Sequence, residues 1–321
     1  MIIITGAAGF IGSYLVSYFN QLGYKDIIVV DEYSRKDKLK NLENKQINRL
    51  LDREELFHWL AQNGSMVSAI IHMGARTDTA EKDRSIFEHL NLSYSKKIWK
   101  FCTDADVPLI YASSAATYGL GEFGYGDSHR IVSFLKPLNP YGDSKQDFDK
   151  WVLTQKETPP FWAGLKFFNV YGPNEYHKGR MASVVFHTVN QINATGSMKL
   201  FRSHNPKFKN GEQARDFVYV RDVAEMIGFL FKEKPKSGLY NIGTGQARTF
   251  NDLVRATFKA MNLQPKISFI DTPLDIRDTY QYFTEAKMQK IQEAGYNKPF
   301  TSLEAGVQDY VQNYLLKKRI Y

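Results

Sequence analysis

An apolar run, Met1-Ile2-Ile3-Ile4-Thr5, empties directly into Gly6-Ala7-Ala8-Gly9-Phe10-Ile11-Gly12, and an amphipathic stretch from Phe10 to about Leu22 follows. Few arrangements accept that order. A buried strand, a turn too tight for side chains and a helix packed back on the strand satisfy it. The glycines at 6, 9 and 12 then have separate duties: the sharp turn, close backbone approach to a pyrophosphate, and contact between helix and strand. The helix amino terminus offers unpaired N–H groups and a positive dipole end to an anion. A second apolar run, Ile27 to Val30, ends in Asp31, 19 residues past Gly12, where a carboxylate can take a ribose hydroxyl. A doubly wound α/β parallel sheet that binds a dinucleotide is the expectation.

Two further segments add chemistry. The strand-like Leu109-Ile110-Tyr111 runs into Ala112-Ser113-Ser114-Ala115-Ala116-Thr117-Tyr118-Gly119. Active groups of a parallel sheet gather at strand carboxyl ends, so Ser114 either sits at the mouth of the same crevice or caps the next turn. In Asn139-Pro140-Tyr141-Gly142-Asp143-Ser144-Lys145, helical spacing projects Tyr141 and Lys145 together. A free phenol titrates near pH ~10, so holding it ionised near neutrality costs roughly 4 kcal/mol, for which a fixed neighbouring cation is a source. An exposed helix face accounts for that pair equally well when it stands alone.

In this order and spacing, Gly6-x-x-Gly9-x-x-Gly12, Ser114 and Tyr141-x-x-x-Lys145 resemble the extended short-chain dehydrogenase/reductase family of nucleotide-sugar enzymes. Along nearly its whole length the chain is similar to the ADP-L-glycero-D-manno-heptose 6-epimerase branch of that family. The segments that carry this are Tyr111 to Gly119, Phe168-Asn169-Val170-Tyr171-Gly172-Pro173, His177-Lys178-Gly179, Met181 to Val184, Asp216 to Val220 and Asn241 to Gly245. The stretch from Tyr176 to Val184 is the specific one.

The resemblance implies a Rossmann-type domain over residues 1–172, with a later return by about 216–245, and a smaller α/β substrate domain over 173–321. It implies dinucleotide contacts at Gly6, Gly9, Phe10, Ile11, Gly12, Asp31, Glu32, Lys38, Arg53, Met73, Gly74, Ala75, Arg76, Thr77 and Asn91, with Tyr141 and Lys145. The resembled epimerases use NADP, and Lys38 and Arg53 match their phosphate-side contacts; Asp31 and Glu32 suit the ribose diol of NAD, which stays open. Tyr141 is the family's proton acceptor, aided by Lys145, and Ser114 hydrogen-bonds the same substrate oxygen. Lys178 supplies a second acid/base, because inverting a carbon needs proton handling on both faces. Nucleotide-sugar contacts fall at Ser114, Asn169, Arg180, His187, Phe201, Arg202, Ser203, His204, Arg215 and Tyr280. No metal is implied. The reaction implied is C6 epimerisation of an ADP-heptose through a 6-keto intermediate, a step towards lipopolysaccharide core in Gram-negative-type bacteria, by a homo-oligomer such as a pentamer. A UDP-hexose 4-epimerase and an idle dinucleotide sensor of the same fold remain as alternatives. A 4,6-dehydratase wants an acidic pair where this chain has Ala115-Ala116.

With 321 residues, 43% hydrophobic and 24% charged, the chain can bury a sizeable core. The net charge of +8 comes from dispersed residues, apart from Lys317-Lys318-Arg319, and an anionic small ligand explains it as well as nucleic acid does. A lone cysteine, Cys102, placed in an apolar helix, suits a reducing compartment and a core position. No run of eighteen apolar residues exists. A cytoplasmic protein without membrane or nucleic-acid partners is expected.

Periodicity places a third strand around Gln46–Asn48, a helix from Asp52 to about Leu60 capped by Asp52, and strands over Ser68–Met73 and Val107–Ala112. It places a helix from Ile86 to about Thr103 and one strand from Trp162 to Val170. Further helices are expected over Met181–Ile192, Asp222–Lys232, Phe250–Met261 with Thr249 as its cap, 284–293 and 301–318. Asp216–Val220 is expected to return to the sheet edge, Gly238–Gly245 to form strand and turn, and Lys266–Ile270 a short strand. His72, inside an apolar run, reads as a core histidine.

Overall fold

The computed structural model describes residues 1–277 and 280–321. Its centre is a seven-stranded parallel sheet built from β1 (Ile2–Thr5), β2 (Ile27–Asp31), β3 (Arg49–Asp52), β4 (Ala69–His72), β5 (Leu109–Ser114), β6 (Trp162–Phe167) and β10 (Gly238–Ile242). The strand order is β10-β6-β5-β4-β1-β2-β3, and every pairing is parallel. The order reverses at β1, so a crevice opens beyond the carboxyl ends of β1 and β4.

Side chains alternate between the two faces, as the pleat dictates. Ile2, Ile4, Val29 and Ile71 pack in one core, and Ile3, Ile28, Val30 and Ile70 in another. Each such side chain contributes about 1.5–3 kcal/mol by leaving water. That is why these strands read as unbroken apolar runs.

Two smaller sheets stand across the crevice. β7 (Asn169–Tyr171), β9 (Ala214–Tyr219) and β11 (Ala247–Thr249) form one, in the order β11-β9-β7, and β8 (Met198–Phe201) pairs in parallel with β12 (Ile267–Ile270) in the other. The run from Trp162 is therefore two strands, broken at Phe168, where Val170 N–H folds back on the Phe168 carbonyl at 2.9 Å and Asn169–Tyr171 cross to pair with Phe217–Tyr219. Likewise Asp216–Tyr219 joins the small sheet; Gly238–Ile242 is the segment at the main sheet edge.

Several boundaries differ from the periodicity. The third strand lies at Arg49–Asp52, and Asp52 turns the chain by accepting from Glu54 N–H at 3.0 Å, so the next helix begins only at Leu56. The helix expected from Met181 starts at Val184, because the Ser183 hydroxyl caps it by accepting from Phe186 N–H. The segment 284–288 is not helical; Gln289–Glu293 and Leu303–Asp309 are, the latter continuing as a π turn to Leu315. Thr249 does cap Phe250–Ala260, in a reciprocal pair with Asp252. Cys102 is buried in the core and burial pushes its thiol up. Among the described residues no helix is long and apolar enough to cross a membrane.

Candidate active site

The glycine turn is shaped by what it cannot hold. Gly6 sits at φ +63°, and a Cβ there would lie 2.6 Å from Gly74 N; a Cβ on Gly12 would lie 2.2 Å from Gly6 O. The helix Phe10–Gln21 starts at Gly9 with no side-chain cap and no acidic residue in its first turn, so its leading N–H groups face the crevice unspent. This cradle fits a diphosphate.

Asp31, nearly buried at the end of β2, is already engaged. Its Oδ2 accepts from Ala8 N–H at 2.9 Å, and its Oδ1 from Glu32 N–H at 2.8 Å and Lys38 Nζ at 2.6 Å. The carboxylate thus braces the glycine turn while facing the cleft. Glu32 accepts from Ser34 N–H at 2.7 Å, and its hydrogen bonds with Ser34 hold it below the usual carboxylate range. Arg35 and Arg53 line the same end. Arg35 lies in the polar loop after Asp31, whose Arg and Lys side chains are the sequence signal for a 2′-phosphate, and it pairs with Asp37.

Met73 to Thr77 also line the cleft, with Gly74 N–H bonded to Thr5 Oγ1 at 3.1 Å. Asn91, expected at the dinucleotide, is absent from the cleft walls. Its Oδ1 accepts from Arg76 N–H at 2.8 Å, and its Nδ2 donates to Arg76 O at 3.0 Å and Ser144 Oγ at 2.9 Å. It braces the Arg76 turn against the helix Pro140–Thr154, from a π segment, Glu88–Ser93, inside the longer helix. His72 shares hydrogen bonds with Thr5 Oγ1 at 2.6 Å and Ser95 Oγ at 2.9 Å, and burial, with the Lys145 charge adding, pushes it down to about 3. It is a neutral core group.

The helix Pro140–Thr154 begins with Asn139 Oδ1 accepting from Gly142 N–H at 2.9 Å and proline in its first turn, where a missing N–H costs nothing. It brings Tyr141 and Lys145 to the end of β5. Ser114 caps the turn after β5, accepting from Ala116 N–H at 3.1 Å, and lines the cleft together with Tyr141. Both readings of that serine therefore describe it.

Lys145 is buried, donates to Ala112 O at 2.7 Å, and is pushed down to about 8 by burial, the Asp149 carboxylate opposing. Tyr141 does not follow the expectation of a phenol ionised by Lys145. Burial raises it above its usual range, and the Ser114 hydroxyl opposes that only in part. Desolvation of a phenolate outweighs the help that this chain's own groups give.

Sequence reasoning missed Asp149. It continues the four-residue spacing of Tyr141 and Lys145, which was its available signal. Fully buried, it accepts from Ser113 Oγ at 2.7 Å and Lys166 Nζ at 2.7 Å, locking β5 and β6 to the helix behind the site.

Across the cleft, Lys178 lies with Nζ 5.3 Å over the Phe10 ring; burial lowers its pKa and Glu175 opposes. Tyr141 and Lys178 open onto one cavity of about 1520 Å³. That exceeds the ~300–1,000 Å³ of an ordinary single-ligand pocket, leaving room for two ligands side by side. His177 lines it too but is pushed down to about 4 by burial, so the loop presents two cations rather than three.

Asn169, Arg180, His187, Phe201, Arg215 and Tyr280 all line the cavity. Arg180 is exposed and pairs with Asp78 at 2.8 Å. Arg215 is 7% exposed, lies 5.5 Å from both the Phe250 and Tyr280 rings, and donates to the Ala214 and Gln281 carbonyls. No carboxylate pairs with it among the described residues.

Arg202, Ser203 and His204 do not line the cavity. Arg202 pairs with Asp271 at 2.9 Å, Ser203 Oγ donates to Asn205 O at 2.9 Å, and His204 Nε2 accepts from Thr272 N–H at 3.2 Å. Arg202 and His204 are spent on the segment after β12, and Ser203 on its own turn.

The chain's own relatives fit this geometry. Residues 2–243 match the model of the NAD dependent epimerase/dehydratase family. A protein of Fusobacterium nucleatum subsp. nucleatum named ADP-L-glycero-D-manno-heptose-6-epimerase is 49% identical, covering 100% of both chains. One of the same name from Nitratidesulfovibrio vulgaris is 46% identical over 98% of each. The crystal structure of the Helicobacter pylori ADP-L-glycero-D-manno-heptose-6-epimerase superimposes with a TM-score of 0.80 at 28% identity, covering 97% of this chain and 95% of that one. The chain belongs to the NAD dependent epimerase/dehydratase family.

Proposed function

We propose that the protein inverts C6 of ADP-D-glycero-β-D-manno-heptose to give the L-glycero epimer, by transient oxidation to a 6-keto sugar. The observation that carries this reading is the opening of Tyr141, Ser114 and Lys178 onto a single cavity whose far end is the glycine cradle. The names of the full-length relatives supply the sugar.

A bound nicotinamide supplies hydride acceptance and return. The chain's residues do the rest. Tyr141 takes the C6 hydroxyl proton, Ser114 holds that oxygen, and Lys145 keeps a positive charge behind the phenol. When the ketone presents its other face, Lys178 acts as the second acid/base. Arg215, buried and without a carboxylate partner among the described residues, takes the nucleotide diphosphate, since a planar guanidinium binds such oxygens in oriented pairs.

NADP is the preferred dinucleotide in this reading. Lys38 already occupies one oxygen of Asp31, and Arg35 and Arg53 stand beside it to receive a 2′-phosphate. Residues 1–172 together with β10 form the dinucleotide half, and 173–321 mainly the substrate half. Incubating the dinucleotide-loaded protein with the D-glycero nucleotide sugar and following C6 by proton NMR tests the reading; an unchanged sugar, or inversion only of a UDP-hexose at C4, rejects it.

A further inference from the structure

Glu175 lies fully buried at the base of the loop that carries Lys178. Both its oxygens are spent on Ser183, Oε2 on the backbone N–H and Oε1 on the hydroxyl, each at 2.6 Å. Ser183 in turn caps the helix Val184–Thr195. The chain between these two residues leaves the core and returns, reversing at Gly179 with φ +53°. Inside the loop Lys178 N–H bonds Glu175 O at 3.0 Å, and Ala182 N–H bonds Gly179 O at 3.1 Å. The residue before it is anchored too: Asn174, buried, donates to Ser13 Oγ at 3.0 Å. The loop base is thereby fixed to the first helix, whose Phe10 ring underlies the Lys178 ammonium.

Holding an ionised carboxylate out of water costs several kcal/mol, and a neutral amide could still accept from Ser183 N–H and donate to the Ser183 hydroxyl. The negative charge therefore calls for a use beyond the staple. Its charged neighbour is Lys178, and Tyr176 and Tyr310 flank it. His177, between Glu175 and Lys178, is held neutral, with Lys38 and Arg35 approaching it from the β2 side.

We propose that Glu175 is a positioning residue for Lys178, stapling both ends of its loop and providing the counter-charge for its ammonium across the cavity from Tyr141. The inference rests on the reading of Lys178 as second acid/base. Its electrostatics agree: burial pulls Lys178 down and Glu175 opposes, while burial pushes Glu175 up and Lys178 opposes.

The test is the pH dependence of epimerisation kcat in the dinucleotide-loaded protein. Glu175→Gln keeps shape, and the Ser183 hydroxyl can turn to accept from the new amide. With the counter-charge gone, the limb belonging to Lys178 is expected to move to lower pH by on the order of one unit, with the melting temperature unchanged or higher. Ser183→Ala, which weakens the staple and keeps the charge, should slow turnover and leave that limb in place. A Glu175→Gln profile superimposing on the wild-type profile, or a Glu175→Gln chain that does not fold, overturns the inference. Full epimerisation by Lys178→Met would instead reject the reading of Lys178, a separate outcome.

Discussion

The Lys145 ammonium donates to the Ala112 carbonyl at 2.7 Å, two residues before Ser114 on β5, and so ties the helix that presents Tyr141 to the strand that presents its partner. The burial of that ammonium has a thermodynamic consequence. Burial holds Lys145 at about 8, whereas an unfolded lysine titrates near ~10.4. Between those values the unfolded chain binds the extra proton, so stability rises with pH across that window, and the penalty is complete below about 8. Its size is roughly 3 kcal/mol. Urea unfolding at pH 8 and 10 should show this rise in the wild type and its loss in Lys145→Met; parallel pH profiles for the two proteins would contradict it.

Tyr141→Phe removes one oxygen from a site that already disfavours the phenolate. Epimerisation should fall by about 10²- to 10⁴-fold. Dinucleotide affinity, measured by fluorescence titration, should stay within a few fold, since the glycine cradle is untouched. A variant with full activity would displace Tyr141 from the proton-acceptor role.

Gly12→Ala places a methyl 2.2 Å from the Gly6 carbonyl oxygen, a backbone atom that cannot swing aside. The first helix must back away from the turn, at a cost of about 1–3 kcal/mol. A lower melting temperature and dinucleotide binding weakened at least about tenfold are expected, the latter because the leading N–H groups lose their aim. Calorimetric titration that finds wild-type affinity would show the cradle does not bind the diphosphate.

Arg215→Met should raise KM for the nucleotide sugar by roughly 10- to 150-fold, the equivalent of about 1.5–3 kcal/mol for hydrogen bonds to a charged group. Dinucleotide affinity should be unchanged. Arg215→Lys should restore little, because an ammonium cannot reproduce the paired geometry. Steady-state kinetics on the three proteins decides it, and an unaltered KM in Arg215→Met removes Arg215 from substrate binding.

What the chain declares locally was legible, and what it decides at a distance was not. The Gly6–Gly12 turn, β1, β2 and the helix from Pro140 follow from short-range rules, since tight turns, apolar runs and an Asn-Pro start act within a few residues. Asn91 lies off the cleft walls, and only the fold reveals that Arg76 and Ser144 use up its amide. Arg202 and His204 likewise lie off the cavity, their partners Asp271 and Thr272 lying far along the chain, while Ser203 is held by nearby Asn205. The break at Phe168 arises because Asn169–Tyr171 pair with Phe217–Tyr219 in another sheet, partners that no local window contains. The raised pKa of Tyr141 comes from desolvation, which no spacing displays, whereas a nearby cation is visible in sequence.

The central claim is that one hydrogen leaves C6 and the same hydrogen returns to the opposite face. Running the conversion of the D-glycero nucleotide sugar in deuterium oxide and reading C6 by NMR tests this most directly. The account predicts an inverted C6 that keeps its original hydrogen. Deuterium at C6 of the product, or no inversion at all, would contradict it.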